Sequence, residues 1–304
     1  MKNKLTILGC HSATPRAGAF PSAQVLEMRG RFFLIDCGEA TQMRIREQKI
    51  SFNKIKHIFI SHLHGDHFYG LVGLISTLSL LNRAPDLHIY GPKGIKEIIL
   101  LQLKLSKSYT KFQLFFHELT SDQPELIFED EKLQVSTIPL EHRVYTNGFL
   151  FQEKTKERKL NMSAIDLESE IDICDYQNIK NGKDYIKEDG TIISNVELTF
   201  DPETPKSYAY CSDTAYKPEI CSEIKKSTLL YHEATFLESE ANLAEKTKHS
   251  TALQAAKIAD QAEVGKLLLG HYSNRYPNTE VFEQEAKSIF KNSEAVHAGQ
   301  TILF

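Results

Sequence analysis

The segment Ser61-His62-Leu63-His64-Gly65-Asp66-His67 puts three imidazoles and a carboxylate within six consecutive positions, directly after the apolar run His57–Ser61. Imidazole nitrogens and carboxylate oxygens are good zinc donors, and an open catalytic zinc site needs only three protein ligands beside a water. Four donors in one short loop exceed that, so the spacing predicts two metals. Gly65 is expected to let the backbone bend sharply between ligands. A polar surface loop that happens to be His-rich is the alternative reading. Two metals need further ligands, and the chain offers them at three other strand ends. His142 follows the run Leu133–Leu140, Asp213 follows Tyr208–Ser212, and His271 follows Lys266–Gly270. Each alone reads as readily as a cap or surface residue; together they complete a two-metal constellation.

Such ligands meet only if strands and helices carry them to one edge. The first half alternates accordingly. Leu5–Gly9, Ala23–Met28 and Arg31–Asp36 read as strands, Glu39–Gln48 as a helix, His57–Ser61 as a buried strand and Phe68–Leu81 as a helix. Leu87–Tyr90 is a strand, Pro92 opens a helix to about Leu105, and Phe112–Leu119, Leu126–Phe128, Leu133–Pro139 and Gly148–Gln152 are strands. Residues 155–206 break the pattern with polar, charge-dense sequence. It resumes with strands Tyr208–Cys211, Thr228–Tyr231 and Lys266–Leu269, helices Ala252–Gln261 and Glu280–Phe290, and a closing strand Ala295–Leu303. The expected organisation is one α/β domain interrupted by an insertion.

Composition narrows the class. The 304 residues are 41% hydrophobic and 25% charged, enough for a full core, which excludes disorder, collagen and small disulfide scaffolds. No apolar run approaches the ~20 residues that span a membrane, and Leu5–Leu8 is too short for a signal-peptide core. Five cysteines without a CxxC pair fit a reducing cytoplasm. The net charge of −4 argues against a protein that coats DNA.

HxHxDH followed by one His, one Asp and a last His resembles the metallo-β-lactamase superfamily. The resemblance tightens to the ribonuclease Z family through Asp36-Cys37-Gly38-Glu39-Ala40-Thr41-Gln42, Tyr90-Gly91-Pro92-Lys93-Gly94, His232-Glu233-Ala234-Thr235-Phe236, His249-Ser250-Thr251 and Gly270-His271-Tyr272-Ser273-Asn274-Arg275-Tyr276. It implies an αββα sandwich, two mixed sheets with helices outside. It implies two Zn²⁺ per subunit, with Mn²⁺ a possible substitute. His62, His64 and His142 would hold one zinc; Asp66, His67 and His271 the other; Asp213 would bridge. The implied activity is removal of the 3′ trailer from precursor tRNA, leaving a 3′-OH on the tRNA and a 5′-phosphate on the trailer. Asp66 would orient or deprotonate the attacking water. His249, oriented by Glu233, would protonate the leaving oxygen. Ser273 and Arg275 would lie near the scissile phosphate. His232 reads better as a hydrogen-bonded core residue, Glu39, Thr41 and Gln42 as packing around the metal loop, and His11, His57, His88, His117 and His297 as structural or exposed.

The resemblance also makes residues 155–206 a flexible arm that grips tRNA, with Lys180 and Lys183 as contacts, in a cytoplasmic homodimer whose arms serve the partner's active site. The family's arm often has a Gly/Pro-rich tip; Asp172–Gln177 contains neither. From Glu153 to Gly190 there are 7 Lys/Arg against 10 Asp/Glu, so binding is expected from local clusters such as Lys154–Lys159. A solvated charged loop is the plainer reading of this insertion. Two other functions compete: a hydrolase of the same fold acting on small phosphodiesters, and a non-catalytic RNA-binding relative.

Overall fold

The computed structural model describes residues 2–14 and 16–304, and divides them into a body (up to Gln152, and Ser207–Phe304) and a second compact unit, Glu153–Lys206. The body is built on two seven-stranded sheets. The first contains β1 (Lys4–Gly9), β2 (Ala23–Met28), β3 (Arg31–Ile35), β4 (Ile55–Phe59), β5 (Leu87–Pro92) and β6 (Leu114–Leu119). The second contains β7 (Leu126–Glu129), β8 (Leu133–Pro139) and β9 (Asn147–Glu153); four short strands of the second unit follow, β10 (Lys159–Leu160), β11 (Tyr185–Ile186), β12 (Ile192–Ile193) and β13 (Thr199–Phe200). The second sheet resumes with β14 (Ser207–Cys211), β15 (Leu229–Glu233), β16 (Leu267–Gly270) and β17 (Ser293–Ala295), and the chain closes with β18 (Thr301–Leu303). The orders are β18-β1-β2-β3-β4-β5-β6 and β17-β16-β15-β14-β9-β8-β7. Both sheets are mixed: β3 to β6 are parallel, as are β14 to β17, while β1–β2, β2–β3 and β9–β14 are antiparallel.

Side-chain alternation assigns each face of the first sheet. Ile7, Phe33, Ile35 and Phe59 point into a core shared with Phe149, Phe151, Tyr208 and Tyr210 of the second sheet. Their neighbours Leu8, Leu34, Ile58 and Ile60 point the other way, onto Leu71, Leu74 and Ile75 of helix Gly70–Leu80 and Ile95 and Ile99 of helix Ile95–Leu105. Helices Ala252–Gln261 and Glu280–Lys287 supply Ala255, Ala256, Ile258, Ala259, Phe282 and Ala286 to the first of these cores. This is the αββα sandwich the resemblance implies.

The run read as one closing strand, Ala295–Leu303, is two strands in two sheets. β17 ends the second sheet, Val296–Gln300 turns, and β18 pairs antiparallel with β1 of the first. The helix read as Phe68–Leu81 is two, Gly65–Phe68 and Gly70–Leu80. β3 stops at Ile35, because Asp36 takes a left-handed backbone with φ 54°.

Glu153–Lys206 is a compact folded unit, which the plainer reading as a solvated charged loop does not provide for. Ile165, Ile171, Ile179, Ile193 and Leu198 form its own small core. Asn195 ties it internally, its amide donating to the Ile179 and Lys183 carbonyls. The Gly/Pro-free tip is a 3₁₀ turn, Ile173–Asp175, capped reciprocally by Asp172 and Asp175, which leads into helix Tyr176–Lys180. The basic run Lys154–Lys159 is not a free patch: Lys156 pairs with Glu203 at 2.7 Å and Arg158 with Asp201. Lys183 bonds only the neutral Asn178, and the Lys180 ammonium has no acid partner among the described residues.

Candidate metal centre

All seven candidate ligands arrive at one end of the sandwich. His62 and His64 lie on the connection after β4, and Asp66 and His67 in the helical turn Gly65–Phe68 that follows. His142 follows β8, Asp213 follows β14, and His271 follows β16. Two of them, Asp213 (φ 49°) and His271 (φ 61°), sit in the left-handed region, as does Asp36. That conformation is uncommon for residues with a Cβ and recurs at sites where geometry is imposed. Gly65 has no such φ. A Cβ there would meet the ring of Tyr69 at 2.4 Å, so the residue makes room for a side chain rather than a sharp bend.

The donor atoms form two groups. His62 Nε2 lies 3.0 Å from His64 Nδ1, which lies 3.3 Å from His142 Nε2. His67 Nε2 lies 3.4 Å from His271 Nε2, and Asp66 Oδ2 is 3.4 and 3.3 Å from these two nitrogens. Asp213 spans both groups. Its Oδ2 is 3.6 Å from His62 Nε2 and 3.8 Å from His142 Nε2; its Oδ1 is 3.2 Å from both His67 Nε2 and His271 Nε2. Zinc–nitrogen bonds of about 2.0–2.1 Å give a tetrahedral edge of roughly 3.3 Å, close to these separations. The residues therefore fit a pair of metal ions.

The opposite ring nitrogens of His62, His67, His142 and His271 are held by protein. His142 Nδ1 donates to the Lys248 carbonyl at 2.8 Å, which requires a proton there and leaves Nε2 bare. His67 Nδ1 donates to Asp36 Oδ2 at 2.7 Å. His271 Nδ1 donates to Thr235 Oγ1 at 2.9 Å, and that hydroxyl donates to Glu233 Oε2 at 2.6 Å. His62 Nδ1 meets Ser61 Oγ at 3.0 Å. Asp36 is an anchor whose own role sequence reading left unassigned: it accepts from the Ser61 backbone, the Ser61 hydroxyl and the Tyr210 hydroxyl as well as from His67. The signal was available, a lone Asp ending an apolar strand two positions before Gly38.

Electrostatics divide the ligand histidines: burial opposes charge on His67 too, but Asp213, Asp66 and Asp36 outweigh it and raise its pKa well above the usual range in the metal-free chain. Burial holds His62, His64 and His142 below the usual histidine range, as neutral donors. Burial also opposes the charge on Asp213, but His271, His67 and His62 outweigh it and keep the carboxyl ionised. Asp66 is likewise held low, by His67 and His271 against its burial. His249, outside the two donor groups, is raised as well. Burial alone would lower its pKa, yet the Glu233 carboxylate, 2.8 Å from Nδ1, raises it to about 9. His249 also falls within reach of Asp213 and His271 as a third donor group, but its Nδ1 is taken by the Glu233 carboxylate.

A cavity of about 400 Å³ opens over these residues. His64, Asp66, Asp213, His249, His271 and Ser273 line it, with the loop Ser12–Thr14, Thr235, Phe236, Thr247 and Arg143. Sequence reading missed that loop and Arg143. Ser12 is fastened by donation from its amide to the Tyr272 carbonyl. Arg275 is exposed and does not line the cavity. His232 is buried, its Nδ1 bonded to the Glu233 carbonyl oxygen.

Residues 3–192 match the family model described as anti-Pycsar protein Apyc1, more than half of the chain, so the chain belongs to that family; the match ends before Asp213, Glu233, His249 and His271. The curated relatives extend across those residues. A ribonuclease Z of Cytophaga hutchinsonii is 47% identical over 294 residues, covering 96% of this chain and 93% of the relative. A ribonuclease Z of Bacteroides fragilis is 43% identical over 292 residues, 96% of each. The chain belongs to the ribonuclease Z family. Among solved structures, the short form of human tRNase Z superposes with a TM-score of 0.71 at 25% identity, covering 98% of both chains. A metallo-β-lactamase fold protein of Bacillus subtilis gives 0.70 at 19% identity over the whole of both chains, which shows the shared fold. In this ribonuclease Z family member, the segments that single out the family, His232–Phe236 and His249–Thr251, are those that build the Glu233–His249 pair.

Proposed function

We propose that the chain is a two-zinc endoribonuclease that cuts precursor tRNA after the acceptor stem, leaving a 3′-OH on the tRNA and a 5′-phosphate on the trailer. One observation carries the site assignment: the carboxylate-raised imidazolium of His249 shares a cavity with two donor groups spanned by Asp213. His62, His64 and His142 would hold one ion, Asp66, His67 and His271 the other, and each Asp213 oxygen faces one group. When bound, the ions supply Lewis acidity, which lowers the pKa of a water toward about 7 and offsets charge on the phosphate. Manganese is a possible substitute.

The chain's own groups do the rest. Asp66 orients the attacking water and takes its proton. His249, fixed through Nδ1 by Glu233, gives its Nε2 proton to the departing ribose 3′-oxygen, a poor leaving group without one. Glu233 then stabilises the imidazolium as it reforms. Ser273, on the cavity wall, and Arg275, outside it, meet the RNA near the cut. The body acts as one metallo-β-lactamase-type domain, and the insertion at about 155–206 as the arm that holds tRNA, with Lys180 and Lys183, which have no acid partner among the described residues, as contacts. A cytoplasmic homodimer completes the reading. No helix among the described residues is long and apolar enough to cross a membrane.

The test is direct. Purified protein is given a 3′-extended precursor tRNA and, separately, a small phosphodiester. The expected product is tRNA trimmed at the 3′ end of its acceptor stem; intact precursor beside a hydrolysed diester overturns the assignment. His64→Ala is expected to lose metal and activity together, read by elemental analysis and a cleavage gel.

A further inference from the structure

Arg143 is a cation for which the fold provides no anion. It follows the candidate ligand His142 on the loop after β8, is exposed, and lines the cavity over the metal groups. Among the described residues it has no ion pair and no side-chain hydrogen bond, and no other Lys or Arg lines that cavity. The acid two positions before it is taken: Glu141 pairs with Lys248 at 2.5 Å. Arg143 lines the same cavity as His64 and His249, and its charge opposes their protonation. A guanidinium is always charged, and its planar fork matches a phosphate in a way an ammonium does not. Metal loading adds positive charge beside it. An unpaired guanidinium in that position is complete only with an anion brought by the substrate.

Resting on the reading of the site as a tRNA-trailer nuclease, we propose that Arg143 clamps the backbone phosphate one nucleotide 5′ of the cleaved linkage, on the tRNA side. The side follows from His249. The oxygen it protonates belongs to the last nucleotide kept by the tRNA, so that nucleotide lies beneath His249, and its own 5′-phosphate is the next anion outward. The scissile phosphate already has Asp66, His249 and the metal groups around it. The exposed rim position of Arg143 suits the flanking phosphate instead. The clamp sets which linkage is presented for cutting by fixing the register of the strand.

Three enzymes, wild type, Arg143→Gln and Arg143→Lys, are compared on precursor tRNA over a range of KCl concentrations and on bis(4-nitrophenyl) phosphate, with metal content measured throughout. Arg143→Gln is expected to raise KM for precursor tRNA about ten- to a hundredfold, the worth of a charge-assisted contact. Its plot of log(kcat/KM) against log[KCl] should be shallower by about 0.7–0.9, one phosphate contact fewer. The small diester has no second phosphate, so its loss should be at least tenfold less. Arg143→Lys should restore the salt slope and only part of the KM. A precursor carrying a neutral methylphosphonate at that one position should impair the wild type and add nothing to the defect of Arg143→Gln, because both remove the same contact. An unchanged salt slope, equal losses on both substrates, or additive defects with the methylphosphonate overturn the clamp while the nuclease reading stands. A wild type that leaves the precursor uncut removes both.

Discussion

His249 and Glu233 divide one task between a proton and the charge that keeps it in place. With a pKa raised to about 9, His249 holds its proton at neutral pH and loses it as the pH rises through that value. A group that must donate is active below its pKa, so kcat is expected to fall on the alkaline side near pH 9. Glu233→Gln removes the raising charge, and the alkaline limb should move down toward the ordinary value near 6.5; a limb that stays put in that variant would separate it from His249. His249→Ala should retain metal and lose about 10²–10⁴-fold in turnover, read by elemental analysis and single-turnover cleavage. Thr235 works one step further back. Its hydroxyl accepts from the ligand His271 and donates to Glu233, so Thr235→Val breaks both links while keeping the shape. It should weaken metal binding about 10–100-fold, with Thr235→Ser restoring it, in a chelator competition.

At the scale of elements, the site depends on how closely two backbones approach. Gly70 opens the helix behind the metal loop, and its amide donates to the Cys37 carbonyl at 2.9 Å. A Cβ on Gly70 would lie 2.0 Å from the Gly38 carbonyl oxygen, so the strand end carrying Asp36 and the helix carrying the loop cannot both stay in place. Gly70→Ala is expected to destabilise the body by about 1–3 kcal/mol, the usual cost of overpacking, seen as a lower Tm. The arm is an element of a different kind, with its own core and its basic run already paired to Asp201 and Glu203. Removing residues 155–200 should impair precursor tRNA far more than a small diester. Equal losses on the two substrates would make the arm a support for the body.

For the whole molecule the question is where charge sits. The chain carries −4, yet four carboxylates, Asp36, Asp66, Asp213 and Glu233, are buried within the sandwich end that also collects five candidate ligand histidines. Buried carboxylates are costly without a countercharge, so the metals contribute to stability as well as chemistry. Chelation is expected to lower Tm along with activity, and zinc to restore both; an unchanged Tm would mean the histidines alone neutralise the cluster. Affinity for RNA in an acidic protein must come from cations placed where the phosphates lie. Lys156 and Arg158 are paired to acids, Lys180 and Lys183 are not, and Arg143 faces the cavity alone.

The candidate ligand set was legible in the sequence because chemistry there is written locally: HxHxDH needs no partner to be noticed, and each remaining candidate follows an apolar strand. Strand positions were legible for the same reason, since alternation is a local pattern. Sequence alone could not tell that Ala295–Leu303 splits between two sheets, because its two halves look alike and only their pairing with β16 and β1 separates them. It could not tell which lysines of the arm are free, since Asp201 and Glu203 lie more than forty positions from the cations they bind. Asp36, Thr235 and Arg143 take their roles from neighbours distant in the chain: His67, His271, and a cavity roofed by the Ser12–Thr14 loop. Residue types and spacing pointed to a metal site, and the resemblance to ribonuclease Z, carried by short local motifs, pointed to its substrate. Tertiary contact decided which nitrogens are bare, which histidine keeps its proton and which cation waits for phosphate, because each depends on groups that only folding brings within bonding distance.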